Sequence, residues 1–136
     1  MTDGIRAFEK AIANLSLKVH RPETIERFAL YATELQKANA VMNLTAVDDT
    51  VGIFVRHFAD SLSVFAAGAI QPESSVIDVG CGAGFPGLPL KIFADDQGIP
   101  MRLTLMDATG KKVAFLERLV GQLGLSDVSC ATARAE

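Results

Sequence analysis

The stretch Val76 to Leu90, VIDVGCGAGFPGLPL, decides the fold of this chain. Val76, Ile77 and Val79 form a short β-branched run, and Gly80 stands where that strand ends. Gly80, Gly82 and Gly84 alternate with Cys81 and Ala83, so the chain can turn sharply and present bare backbone at the strand's carboxyl end. Leu88 to Phe93 then reads as a helix, with Pro86 and Pro89 tolerable only in its first turn. Strand, glycine turn and helix in that order open a βαβ unit.

Downstream, Arg102 to Met106 predicts a second strand closed by Asp107. Thr109 is placed to cap a helix in which Val113, Leu116, Val120 and Leu123 repeat at 3, 4 and 3, and Gly124 ends it. Val128 to Ala131 begins a third strand. Two right-handed crossovers and a parallel sheet follow, an α/β, Rossmann-like arrangement over residues 71–136. The sheet is three strands wide where doubly wound folds commonly carry five or six, so the expectation is a partial domain, truncated at the C-terminus.

Residues 1–70 read as a helical cap. Ile5, Phe8, Ile12 and Leu15 share one helical stripe, with Thr2 or Asp3 placed to cap the first turn. Pro22 suits the first position of a second helix, whose Ile25, Phe28, Ala32 and Leu35 fall on one face and whose end lies near Asn39. After the less helical Val41 to Val47, a third helix follows Asp48 and Asp49, with Phe54, Phe58, Leu62 and Phe65 a turn apart as core.

At 136 residues the chain has the length of one domain, and 49% hydrophobic against 21% charged residues excludes the signature of disorder. No apolar run approaches the roughly 20 residues that span a bilayer, which together with the cysteines predicts a cytoplasmic protein. Cys81 and Cys130 are single and far apart, expected as reduced thiols, with no metal-ligand spacing. A net charge of -3 argues against binding nucleic acid by overall charge, so any RNA contact needs a local patch. Lys111, Lys112 and Arg134 are the candidates for RNA phosphates, although solvated helix faces often carry such residues.

Two ligands compete for the glycine loop. Gly82, Gly84 and Gly87 also spell GxGxxG, and Asp107 lies 20 residues beyond Gly87, as the ribose-binding acid of an NAD site would. Against this stands Asp78, two residues before Gly80. A carboxylate pointing into that crevice repels a pyrophosphate and attracts the ammonium and sulfonium of S-adenosylmethionine. Alternatively, Asp78 is a strand-end carboxylate accepting backbone N–H bonds. Asp107 is placed to accept hydrogen bonds from ribose hydroxyls, or is an ordinary acid at a helix N-terminus. Phe85 either covers the cofactor or packs beneath the helix.

Five motifs in order, NLTAV (Asn43 to Val47), RHFADSL (Arg56 to Leu62), DVGCGAGFPGLPL (Asp78 to Leu90), LMDATGKKVAFL (Leu105 to Leu116) and RAE (Arg134 to Glu136), resemble the RsmG or GidB family. Its members are small-subunit ribosomal RNA guanine-N7 methyltransferases. The resemblance implies a Rossmann-like class I fold using S-adenosylmethionine to methylate N7 of one guanosine in 16S ribosomal RNA of the small ribosomal subunit. By position it implies that Gly80 and Phe85 line the cofactor, that Asp107 is the acid after the second strand, and that Ala135 and Glu136 border the adenine. Cys81 departs from the serine or threonine of many relatives, and relatives continue some seventy residues further, through a downstream arginine motif. Three readings stand at this point: the methyltransferase, an NAD-binding oxidoreductase, and a non-catalytic remnant of a methyltransferase.

Methylating N7 needs no general base, because N7 offers a free lone pair; proximity suffices. The pair His57 and Asp60, three apart on a helix, is therefore expected as a surface histidine bonded to its neighbouring carboxylate or as a wall of the cleft.

Overall fold

A computed structural model describes residues 1–133. The chain folds as α1 (Thr2–Ala13), α2 (Pro22–Met42), the short α3 (Thr50–Gly52) running into a π-helical segment (Ile53–Ala59), and α4 (Ser63–Ala66). It continues as β1 (Ser74–Val79), α5 (Gly87–Gln97), β2 (Met101–Asp107), α6 (Gly110–Leu123) and β3 (Val128–Thr132). The strands form one parallel sheet in the order β1-β2-β3, with Asp78 beside Leu105 and Leu105 beside Cys130. This is the expected Rossmann-like α/β arrangement. The local signals explain its boundaries: Pro86 is the N-cap of α5, and Gly98 and Gly124 end α5 and α6 in the left-handed conformation.

The helical half departs from expectation at three places. Neither Thr2 nor Asp3 caps α1; both lie inside it, and the N-cap is Met1 without a side-chain bond. Helix α2 runs past Asn39 to Met42, where Asn43 takes the left-handed conformation at φ 52°. The third helix is interrupted: Asp49 caps its first turn by accepting from the Gly52 N–H at 2.9 Å, and the next two turns are π-helical. A π turn widens the spacing yet keeps Phe54, Phe58 and Leu62 fully buried, so apolar periodicity alone does not reveal it.

One core joins the two halves. Phe8, Phe28, Tyr31, Phe54 and Phe58 of the helical half share a single buried cluster with Leu88, Phe93, Leu103 and Leu116 of the sheet half. Rings meet at 4.9 Å (Phe8 and Phe28), 5.0 Å (Phe28 and Phe58) and 4.7 Å (Tyr31 and Phe58). A polar joint complements this packing. Asp96, on α5 and buried, accepts from the backbone N–H groups of His20 (2.9 Å) and Arg21 (2.9 Å) and from the Thr24 hydroxyl (2.7 Å). The carboxylate thus fastens the chain that leads into α2, and the Thr24 side chain of its first turn, to α5, 72 residues away.

Helices α2, α5 and α6 lie on one side of the sheet, since α2 packs on both α5 and α6. The other face carries Ile77 and Val79 at 63% and 51% exposure. No helix among the described residues is long and apolar enough to cross a membrane.

Candidate functional site

The glycine loop leaves β1 at Gly80 and enters α5 at Gly87. Its first turn is tied to the neighbouring strand, because the Gly80 and Cys81 N–H groups both donate to the Met106 carbonyl (2.8 and 3.1 Å). Gly80, Gly82 and Gly84 all have positive φ, 70°, 54° and 101°, which side chains rarely tolerate. The glycines then divide by what surrounds them. A Cβ on Gly80 or Gly82 would meet nothing within 4 Å, so the backbone there faces open space. A Cβ on Gly84 would stand 2.5 Å from the Tyr31 hydroxyl, and one on Gly87 2.9 Å from Asp78 Oδ2. The outer pair leaves room for a ligand; the inner pair lets α2 and β1 close on the loop from beneath.

Both candidate acids serve the loop. Asp78 lies on the covered face of β1, half-buried, and its Oδ2 accepts from the Gly87 N–H at 2.9 Å. The carboxylate therefore turns under the loop onto the N-terminus of α5, not outward into the crevice as expected. Burial pushes the Asp78 carboxyl above its ordinary range, against the opposing pull of the Gly87 bond. Asp107, buried at the end of β2, accepts from the Gly82 N–H (3.0 Å) and the Thr109 N–H (2.9 Å) through separate oxygens. Burial raises it too, but the bonds from Thr109 and Gly82, with Lys112 nearby, prevail and hold it below the usual range.

Cys81 reports the field that results. Its thiol is pushed up to about 12, first by burial and then by Asp78 and Asp107. Two carboxylates thus underlie the loop, and the thiol between them in sequence stays neutral.

Phe85 is the middle ring of a parallel stack. It lies 4.4 Å from His57 at 14° and 5.7 Å from Tyr31 at 16°. His57 bonds through Nε2 to the Thr45 hydroxyl at 2.7 Å, and that hydroxyl also accepts from the Val47 N–H at 3.1 Å. The partner of His57 is therefore Thr45 and not Asp60, whose i+3 spacing suggested the pairing. Burial lowers the His57 pKa, with a Val47 backbone bond and the Asp60 charge opposing. Arg56, His57, Asp60, Phe85 and Pro86 line a pocket of about 360 Å³ beside the loop.

A family model described as GidB, rRNA small subunit methyltransferase G, matches residues 24–136. The chain belongs to the GidB family. Proteins named Ribosomal RNA small subunit methyltransferase G are similar to it in Roseiflexus sp. (strain RS-1), 49% identical, and Thermoanaerobacter sp. (strain X514), 40% identical. Each alignment covers 82% of this chain and 46% or 45% of the relative. The Clostridium beijerinckii relative is 39% identical over 93% of this chain and 51% of its own length. The chain thus spans about half the length of the curated relatives it matches.

The remaining expected residues are dispersed. Lys111 is exposed and Lys112 half-buried at the start of α6, where both line a second, smaller pocket with Thr109, Val41 and Met42. Arg134, Ala135 and Glu136 lie outside the described residues. Lys91 of α5 is buried and donates to the Met101 carbonyl at 2.7 Å, so it faces no ligand. Tyr31 and Asp96 carry no signal in the sequence: each looks like an ordinary helix residue until the helix is docked.

Proposed function

We propose that this member of the GidB family uses S-adenosylmethionine to methylate N7 of a specific guanosine in the 16S ribosomal RNA of the small subunit, in the cytoplasm. The observation that carries this reading is the Asp78 to Gly87 hydrogen bond. In a dinucleotide site the pyrophosphate rests on the helix N-terminus after the glycine loop. Here a carboxylate of the chain itself holds that position, at 2.9 Å. A diphosphate would have to displace it and sit beside the carboxylates of Asp78 and Asp107. A ligand without phosphate, carrying an ammonium and a sulfonium, fits the same field.

In this reading residues 1–70 are a helical cap and residues 71–136 carry the donor site. Gly80 and Gly82 offer bare backbone, and Gly84 keeps the loop closed on α2. Asp107 has lone pairs left after its two amide bonds, enough to accept from a ribose. Asp78 acts by fixing the loop to α5. Phe85 walls the site, and Ala135 and Glu136 complete it around the adenine. Lys111, Lys112 and Arg134 approach RNA phosphates. When bound, S-adenosylmethionine supplies a methyl carbon already activated by its sulfonium. The chain's contribution is to hold the guanine edge in line at about 3–3.5 Å and to exclude water. His57, bonded to Thr45 and stacked on Phe85, is fixed as a wall and moves no proton.

The test is to incubate small ribosomal subunits with the chain and methyl-labelled donor, then digest the RNA to nucleosides. Label in 7-methylguanosine is expected; label confined to another base would refute the assignment.

A further inference from the structure

Tyr31 is the single tyrosine of a chain that has no tryptophan. It sits in the middle of α2, fully buried, and its hydroxyl donates to the Ala83 carbonyl at 2.6 Å. That bond satisfies a polar group which burial would otherwise leave costly. The same hydroxyl occupies the space a Gly84 side chain would need, and the ring lies parallel to Phe85. Burial pushes the phenol well above its ordinary range, so the hydroxyl stays a donor throughout the neutral range. Tyr31 thus touches three consecutive loop residues, Ala83, Gly84 and Phe85, from a helix outside the sheet. Residues 83–85 have no such hold from β2, whose Met106 carbonyl is bonded by Gly80 and Cys81.

We infer that Tyr31 is a positioning residue: through its hydroxyl, α2 sets the conformation of Ala83 to Phe85 and thereby the affinity of the loop for its ligand. The inference rests on the proposed reading of the loop as a donor site. It also makes the coupling reciprocal, so that filling the loop alters the surroundings of Tyr31. Since the chain's tyrosine emission arises from this residue alone, occupancy is legible in its fluorescence.

The experiment compares the chain with its Tyr31→Phe variant, which keeps the ring and its stack and lacks the hydroxyl. Amide hydrogen exchange is followed without ligand, S-adenosylmethionine affinity by calorimetry, and tyrosine emission during titration, corrected for absorption by the adenine. Tyr31→Phe is expected to speed exchange at Gly84 and Phe85 while β2 stays protected, and to weaken donor binding roughly three- to tenfold, the loss of one neutral hydrogen bond. Wild-type emission is expected to change with the calorimetric midpoint. Unchanged loop exchange in the variant, or donor uptake without any change in wild-type emission, overturns the inference. If the wild-type chain takes up no donor, the reading of the loop fails, and the exchange comparison alone decides whether Tyr31 positions it.

Discussion

Asp107 and Gly82 are joined by a 3.0 Å hydrogen bond from the loop amide to a buried carboxylate, which extends the ties between the end of β2 and the glycine turn after β1. It makes Asp107 a support of the loop as well as a candidate ligand contact. Asp107→Asn retains shape and one acceptor but removes the charge from two amide bonds. A hydrogen bond to a charged group contributes about 1.5–3 kcal/mol, so donor affinity should fall roughly tenfold or more. Calorimetry on the folded variant measures this, and unchanged affinity would show that the acid is misassigned.

Gly84→Ala tests the inner half of the loop. The new methyl would meet the Tyr31 hydroxyl at 2.5 Å on a backbone with φ of 101°. Strain at such a position costs on the order of 1–3 kcal/mol before the clash is counted. A lower unfolding midpoint with lost donor binding is expected. Gly80→Ala has open space around it and strain alone, so it should cost less stability; equal costs would contradict the division of the glycines.

Asp96→Ala cuts the polar joint between α5 and the start of α2 and leaves the His20 and Arg21 amides and the Thr24 hydroxyl without their acceptor. A loss of roughly 3 kcal/mol in denaturant unfolding is expected. A change below about 0.5 kcal/mol would mean that the joint between the halves is apolar packing alone.

The pH dependence follows from four groups. Asp96 and Asp107 sit below the ordinary range because their hydrogen bonds outweigh burial, so their stabilisation is complete above a pH of about 4 and is lost as pH falls through their lower folded values. His57, lowered chiefly by burial, contributes fully above a pH of about 6.5 and is lost below it. Asp78, raised by burial, acts the other way and costs stability as pH rises through its folded value. Denaturant midpoints should therefore fall from neutrality towards pH 5 and more steeply below about 4, and His57→Gln should flatten only the upper part. Midpoints that rise on acidification would contradict this balance.

Much of the sheet half is legible in the sequence, because each of its boundaries is marked by a residue with few alternatives. Gly80 needs positive φ, Pro89 fits only a first turn, and Gly124 takes the left-handed cap. The helical half is legible as helices but not in detail. Apolar spacing of 4, 4 and 3 from Phe54 to Phe65 fits an α-helix as well as the π turn that forms. What spacing does not supply is partnership across the chain. Asp78 turns to Gly87, His57 to Thr45, Asp96 to the start of α2 and Tyr31 to Ala83, and each choice is fixed by how the helices dock.

With Asp78 already holding the α5 N-terminus, the loop between β1 and α5 is expected to prefer a cationic nucleoside to a diphosphate. Calorimetric titration of the chain with S-adenosylmethionine and, separately, with NAD tests it most directly. Saturable heat with S-adenosylmethionine and none with NAD is the expected result; heat with NAD and silence with S-adenosylmethionine would contradict it.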